Sequence, residues 1–165
     1  MTSGGLPMSA TGIDTSANPI LERDMYVEPV VAYRCWLIDN TQGGFGLRSW
    51  TKKIPWAPHR EFEAACLRMS PIAMLGRNPQ HETPNVHGCG IYAVKTLEQA
   101  ARWFAQSGVG VIGVVKMWGR IIVCSEGFLA QFAYPAALLA PGSGVSPHTF
   151  RALAERYQIP TEWAA

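Results

Sequence analysis

Two histidines and a thiol fall within nine residues of each other, at His81, His87 and Cys89, and a second thiol, Cys66, lies upstream with fourteen residues between it and His81. Zinc takes four tetrahedral ligands from thiolate sulfur and imidazole nitrogen, and this set supplies four. His87-Gly88-Cys89 is a close pair, because the glycine between them lets the backbone turn so that both side chains converge. His81 arrives from a turn flanked by Pro79 and Pro84, and Cys66 closes the far side of the loop. The spacing matches no common zinc-finger pattern. Taken alone it fits either a zinc site or two surface histidines beside two thiols buried as small hydrophobes. Four protein ligands make a closed, structural site. If one histidine stands aside, a zinc-bound water becomes a nucleophile and Glu82 is the nearest general base. Neither a His-Glu-x-x-His nor a Cys-x-x-Cys pattern accompanies the set, so the closed site is the expectation.

The elements that would hold these residues are read from periodicity and turn chemistry. Residues 1–24 are rich in Ser, Gly, Thr, Ala and Pro without periodicity, and are expected to be a disordered tail ahead of one domain over 25–165. Met25 is then a candidate start codon. Val30 to Ile38 is β-branched and aromatic and predicts a strand; residues 39–44 turn, and Phe45 to Trp50 returns as the second strand of a hairpin. Pro55 and Pro58 break the chain, and Arg60 to Leu67 is a strand or a short helix. Arg68 to Gly88, with three prolines, is long for an irregular segment in a compact domain unless something ties it down. Gly90 to Lys95 reads as a short strand, and Thr96 with Gln99 forms a capping box for a helix to about Gln106, with Ala100, Trp103 and Phe104 on its packing face. Val109 to Trp118 is a strand, Gly119-Arg120 a tight connection, and Ile121 to Cys124 continues or returns. Phe128 to Leu139 is extended and bent at Pro135. Ser146 caps a last helix with Pro147 at its first position, a stripe of Phe150, Leu153, Ala154 and Tyr157, and a stop at Pro160.

At 165 residues, 48% hydrophobic and with six Trp, the chain can bury a true core, so a zinc would be a local staple. Only 16% of residues are charged, and apolar surface covered by a protein partner is expected. A net charge of +2 argues against a dedicated polyanion binder. No apolar run approaches the ~20 residues of a membrane span. With no basic n-region or apolar h-region at the start, the expected location is the cytoplasm, where the four cysteines stay reduced and favour metal over disulfides.

The segments Tyr33-Arg34-Cys35-Trp36, Ala65-Cys66, His81-Glu82-Thr83-Pro84, Cys89-Gly90-Ile91-Tyr92-Ala93, Trp118-Gly119-Arg120 and Ala133-Tyr134-Pro135 occur in that order. Together, over about residues 30–160, they resemble a family of small uncharacterised bacterial domains that share a Cys, His-Glu-x-Pro, Cys-x-Cys-Gly-Ile-Tyr-Ala pattern. The resemblance implies the ligand set Cys66, His81, His87 and Cys89, with His87 standing where the family pattern has cysteine. Histidine ligates zinc as well, at the cost of greater acid sensitivity. The resemblance implies no activity. A second similarity is to ADP-ribosyltransferases, through Gly90-Ile91-Tyr92-Ala93 and the helix after it. It implies an NAD-type pocket with Arg34 and Tyr92; Gln131 stands where those enzymes carry a late catalytic glutamate, with Glu126 just before it, and loss of that acid would disable the chemistry.

Arg34 lies mid-strand among apolar residues and calls for a carboxylate partner such as Asp39 or Glu61, or for a bound anion. Arg48, Trp50, Lys52, Lys53, Trp56 and Arg60 interleave basic and aromatic groups, a pattern suited to single-stranded nucleic acid; the alternative is a solvated loop with its tryptophans folded onto the core. Cys35 and Cys124 are expected to be inert core thiols. The expectation is therefore an α+β domain, an antiparallel or mixed sheet with two packed helices stapled by structural zinc (Zn2+), acting as a binding or adaptor module with no catalytic residue of its own. An NAD-binding transferase and a nucleic-acid module are the alternatives.

Overall fold

The computed structural model describes residues 28–41, 43–50, 53–65, 83–85, 89–107 and 110–162. The strand expected from the β-branched run is present as β1 (Val30–Thr41). It turns back into β2 (Gly44–Ser49), pairing antiparallel from Thr41↔Gly44 to Trp36↔Ser49. Two short strands follow, β3 (Pro55–Trp56) beside β2 and β4 (Phe62–Glu63). The uncertain stretch from Arg60 thus contributes a two-residue strand among its described residues.

β5 (Ile91–Val94) leads into α1 (Leu97–Ser107). The capping box is formed: Thr96 Oγ1 accepts from the Gln99 N–H at 3.2 Å, and the Gln99 side chain accepts from the Thr96 N–H at 3.2 Å. Two long strands come next, β6 (Val111–Val123) and β7 (Gly127–Pro141). Ile121 continues β6 rather than returning, because Gly119, at φ 76°, lets the strand bulge between Trp118 and Ile121. Pro135 sits at a further register shift, where the missing N–H does least harm. The chain ends in α2 (Pro147–Tyr157), capped by Ser146, whose hydroxyl accepts from the Thr149 N–H at 3.0 Å. The helix stops before Pro160, at Gln158, which takes the left-handed conformation and donates to the last turn.

The named strands pair antiparallel throughout; among the described residues the single parallel pairing is the isolated bridge Leu138↔Thr161. Both edges of β1 are used. Tyr33 faces Val94 of β5 on one edge and Val114 of β6 on the other. β7 likewise lies between β6 and β5, with Ala130 opposite both Ile121 and Ile91. The pairings β1–β6–β7–β5–β1 therefore close a ring, which removes the free edges of its central strands. On β1 the edge toward β5 is taken over by β2 from Trp36 onward, so the sheet splits beside Arg34.

The two faces are distinct. Ala32, Trp36, Leu47, Trp56, Ile91, Ala93, Val115 and Leu138 pack with Phe150, Leu153 and Tyr157 of α2 into the main core. Tyr33, Cys35, Tyr92, Val94 and Ile112 form a second layer with Ala100 and Phe104 of α1. α2 delivers its whole expected stripe to the main core. Tyr157 also knots β2 to β3: its hydroxyl accepts from the Leu47 N–H at 2.8 Å and donates to the Trp56 carbonyl at 2.5 Å. A buried phenol satisfied on both sides fixes geometry as well as adding area. α1 follows its predicted face only in part. Ala100 is buried and Phe104 half-buried, but Trp103 is 47% exposed and covers the ring of Tyr92 instead of entering the core.

Candidate functional site

Of the four expected zinc ligands, Cys89 is described, while Cys66, His81 and His87 lie outside the described residues, as does Glu82. Cys89 is buried immediately before β5. The described residues around the gaps are tied together. The Thr83 hydroxyl donates to the Ala64 carbonyl at 2.9 Å, and the Asn85 N–H donates to the Cys89 carbonyl at 3.2 Å. Pro84 is fully buried against Gly90: a Cβ on Gly90 would stand 2.8 Å from the Pro84 Cβ, and φ of +137° makes that position costly for any other residue. Cys66 is two residues past Ala64, His81 two before Thr83, and His87 midway between Asn85 and Cys89. Each of these three therefore lies within two residues, along the sequence, of a described anchor beside the start of β5.

Arg34 projects from β1 on the same side as Ala32 and Trp36, toward the main core. Its Nη1 donates to the Tyr92 carbonyl, its Nη2 lies 3.4 Å from the Ser49 hydroxyl, and its guanidinium carbon sits 5.2 Å from the centre of the Trp56 ring. Trp56 is stacked on Phe62 with centroids 4.6 Å apart and meets the edge of Trp36 at 5.5 Å. Among the described residues neither Asp39, Glu61 nor any other carboxylate pairs with Arg34, and its Nε is buried without an acceptor. Burial accordingly pulls the Arg34 pKa down to about 10, against a small opposing effect from Cys35. It remains a cation at neutral pH.

Tyr92 contributes its backbone to Arg34, not its ring. Strand alternation puts Ile91 and Ala93 in the main core and turns the Tyr92 ring to the α1 side, where it stacks on Trp103 at 5.5 Å. Gly127 leaves room for it, since a Cβ there would meet the Tyr92 ring at 2.8 Å. Burial raises the Tyr92 pKa, helped by Cys124 and Glu126. The Arg34 guanidinium and the Tyr92 ring thus lie on opposite faces of the sheet and do not line one pocket. Gln131 is drawn into the β6 bulge, its side-chain oxygen 3.4 Å from the Arg120 N–H.

The basic and aromatic stretch separates as well. Trp56 is 2% exposed, clasped between Phe62, Trp36 and Arg34, so no face of it remains for a nucleic-acid base. Its indole N–H donates to Ser49 Oγ at 2.8 Å. Trp50 and Arg48 are half-buried, Lys53 and Arg60 are exposed, and Lys52 is outside the described residues. Of the two readings of this stretch, Trp56 follows the one in which it folds onto the core: the hairpin of β2 and β3 turns it inward because Leu47, directly opposite, is itself a core residue. Ser49 as a polar partner escaped the sequence reading. Its signal was the two-residue spacing from Leu47, which puts a hydroxyl on the core face.

Cys35 lies in the α1-side layer, its thiol 3.5 Å from the Ala100 carbonyl. Burial pushes its pKa up to about 11 from 9.0, with Arg34 pulling the other way. At pH 8 the alkylation of Cys35 by iodoacetamide, followed by peptide mapping, is expected to run ~100-fold slower in the folded chain than in denaturant, because only the thiolate reacts. The sign for stability follows. The folded thiol keeps its proton where the unfolded one loses it, so this contribution is whole below pH 9 and disappears as pH rises toward 11. Modification of Cys35 at equal rates in both states would contradict its burial.

No helix among the described residues is long and apolar enough to cross a membrane. Comparison with protein-family models, with curated proteins and with solved structures finds no match for this chain.

Proposed function

We propose that this chain is a zinc-stapled binding module, with Cys66, His81, His87 and Cys89 as a closed ligand set and a protein as its partner. The observation that carries the zinc reading is the knot at the start of β5. Ala64, Thr83, Pro84, Asn85, Cys89 and Gly90 are held together by side-chain and backbone bonds, and each candidate ligand belongs to it or lies two residues from it. A donor set of two thiolates and two imidazoles suits zinc, a d10 ion that takes sulfur and nitrogen ligands and settles into a tetrahedral site. When bound, zinc would hold the long segment before β5 to the rim of the ring. The protein-partner reading rests on the low charge content and on Leu97, Trp103, Val31 and Val123, all more than 40% exposed.

Metal analysis of purified chain is expected to give about one zinc per chain. The His87→Ala variant is expected to lose both the metal and roughly 3 kcal/mol of stability, about 10 °C in Tm for a domain of this size. Zinc-free protein whose thiols at positions 66 and 89 react freely in the native state would overturn the reading. Stoichiometric zinc retained by His87→Ala would remove His87 from the ligand set.

A further inference from the structure

Around Ser49, more donors converge than there are acceptors among the described residues. The Ser49 hydroxyl, 5% exposed, accepts from the Trp56 indole N–H at 2.8 Å and from Arg34 Nη2 at 3.4 Å. The indole bond occupies one lone pair of the hydroxyl, and no acceptor for the hydroxyl proton stands among the described residues. Arg34 is pinned through Nη1 by the Tyr92 carbonyl. That leaves its other edge, where Nε–H and one Nη2–H point the same way, and Nε there is buried without a partner. The Nη2 contact to Ser49 is longer than the usual 2.7–3.2 Å and takes up little of that edge. A buried guanidinium with no carboxylate beside it is costly, and leaving a donor unsatisfied costs about 1–3 kcal/mol. The Nε and Nη2 edge of arginine matches two coplanar oxygens, the fork geometry that carboxylates and phosphates fill.

We propose that the Nε–Nη2 edge of Arg34 and the Ser49 hydroxyl form a receptor for an oxyanion group, carboxylate or phosphate, at the split where β1 passes from β2 to β5. The place suits the task. Part of the Arg34 side chain remains exposed while Nε itself is shielded from solvent, and the low-polarity surroundings strengthen any charge pairing made there. The Trp56 ring, held by Phe62 and Trp36, keeps the guanidinium in plane and in position. The receptor names what the binding module takes, and in that sense rests on the binding reading; it does not require the metal.

Acetate and phosphate are titrated separately into the full chain at constant ionic strength against chloride, reading Tm and tryptophan fluorescence. A saturable response beyond that of chloride is expected for at least one of them, and the anion that saturates at the lower concentration identifies the source. Arg34→Lys keeps the charge and loses the fork, and is expected to need about tenfold more anion. A wild-type response no greater than that to chloride, or a variant that responds as the wild type does, overturns the proposal. Should the variant not fold, the Arg34 Nε–Hε NMR resonance of the unchanged chain is followed through the same titration, and a resonance that stays fixed overturns it equally. Zinc content is measured on every sample. A chain that is zinc-free as purified yet responds to the anion overturns the zinc staple alone, and a zinc-loaded chain with no response overturns the receptor alone.

Discussion

Trp36→Ala is expected to cost about 3–5 kcal/mol of folding free energy, read by urea unfolding with far-UV circular dichroism. Trp36 is fully buried at the centre of β1, the strand that pairs on both edges. Its ring meets Trp56 edge-on at 83°, and its Cζ3 would lie 3.2 Å from a Cβ at Gly113. The site cannot collapse onto the void, because the facing backbone belongs to the closed ring. Trp36→Phe should cost much less, about 1–2 kcal/mol, since it leaves a smaller cavity and removes an indole N–H that is buried without an acceptor. The same substitution bears on function: with Trp36 gone, Trp56 loses its edge contact and Arg34 its fixed plate. A loss below about 1 kcal/mol for Trp36→Ala would mean that this core is not close-packed.

Gly110→Ala is expected to destabilise the chain by about 3 kcal/mol or more, from left-handed strain and a backbone collision together. Gly110 opens the run into β6 at φ +108°. A Cβ there would strike the Trp36 carbonyl oxygen and stand 3.2 Å from the Leu37 Cα, neither of which is a flexible side-chain tip. The Gly110 carbonyl also accepts from the Gly142 N–H at 2.7 Å, so the residue cannot swing away without breaking that bond. Gly144→Ala is the control. It has φ +88° but nothing within 4 Å of a Cβ, so it should cost only the conformational part, about 1 kcal/mol. Equal losses in the two variants would show that the approach of β6 to β1 is not the constraint.

The knot before β5 and the Arg34 site were legible to different degrees. The clustering of His81, His87 and Cys89 is local, so the sequence displays the candidate ligands without any tertiary information, and the structure adds only that Ala64 is brought to Thr83. Arg34 stood out as a charge in an apolar strand, but its surroundings did not. Ser49, the Tyr92 carbonyl and the Trp56 ring reach it from β2, β5 and β3. The face of the Tyr92 ring could not be set against that of Arg34 until the register Tyr33↔Val94 was known, because alternation within a strand says nothing about its neighbour.

What the sequence by itself determined is what is written in contacts of a few residues. β1 follows from a β-branched run, α1 from Thr96 bonding Gln99, and α2 from Ser146 bonding Thr149, with a stripe at helical spacing. Each of these is a periodicity or a side chain reaching its own backbone. Only the tertiary structure decided that β6 runs on through Gly119, that β1 has a partner on both edges, that Trp56 turns inward while Trp103 stays half outside, and that an unpaired guanidinium sits at the split in the sheet. Those features depend on which distant segment lies on each strand edge. Hydrogen bonds between strands are made by backbone groups common to nearly every residue, so the choice of neighbour is set by packing across the whole chain and leaves no local mark.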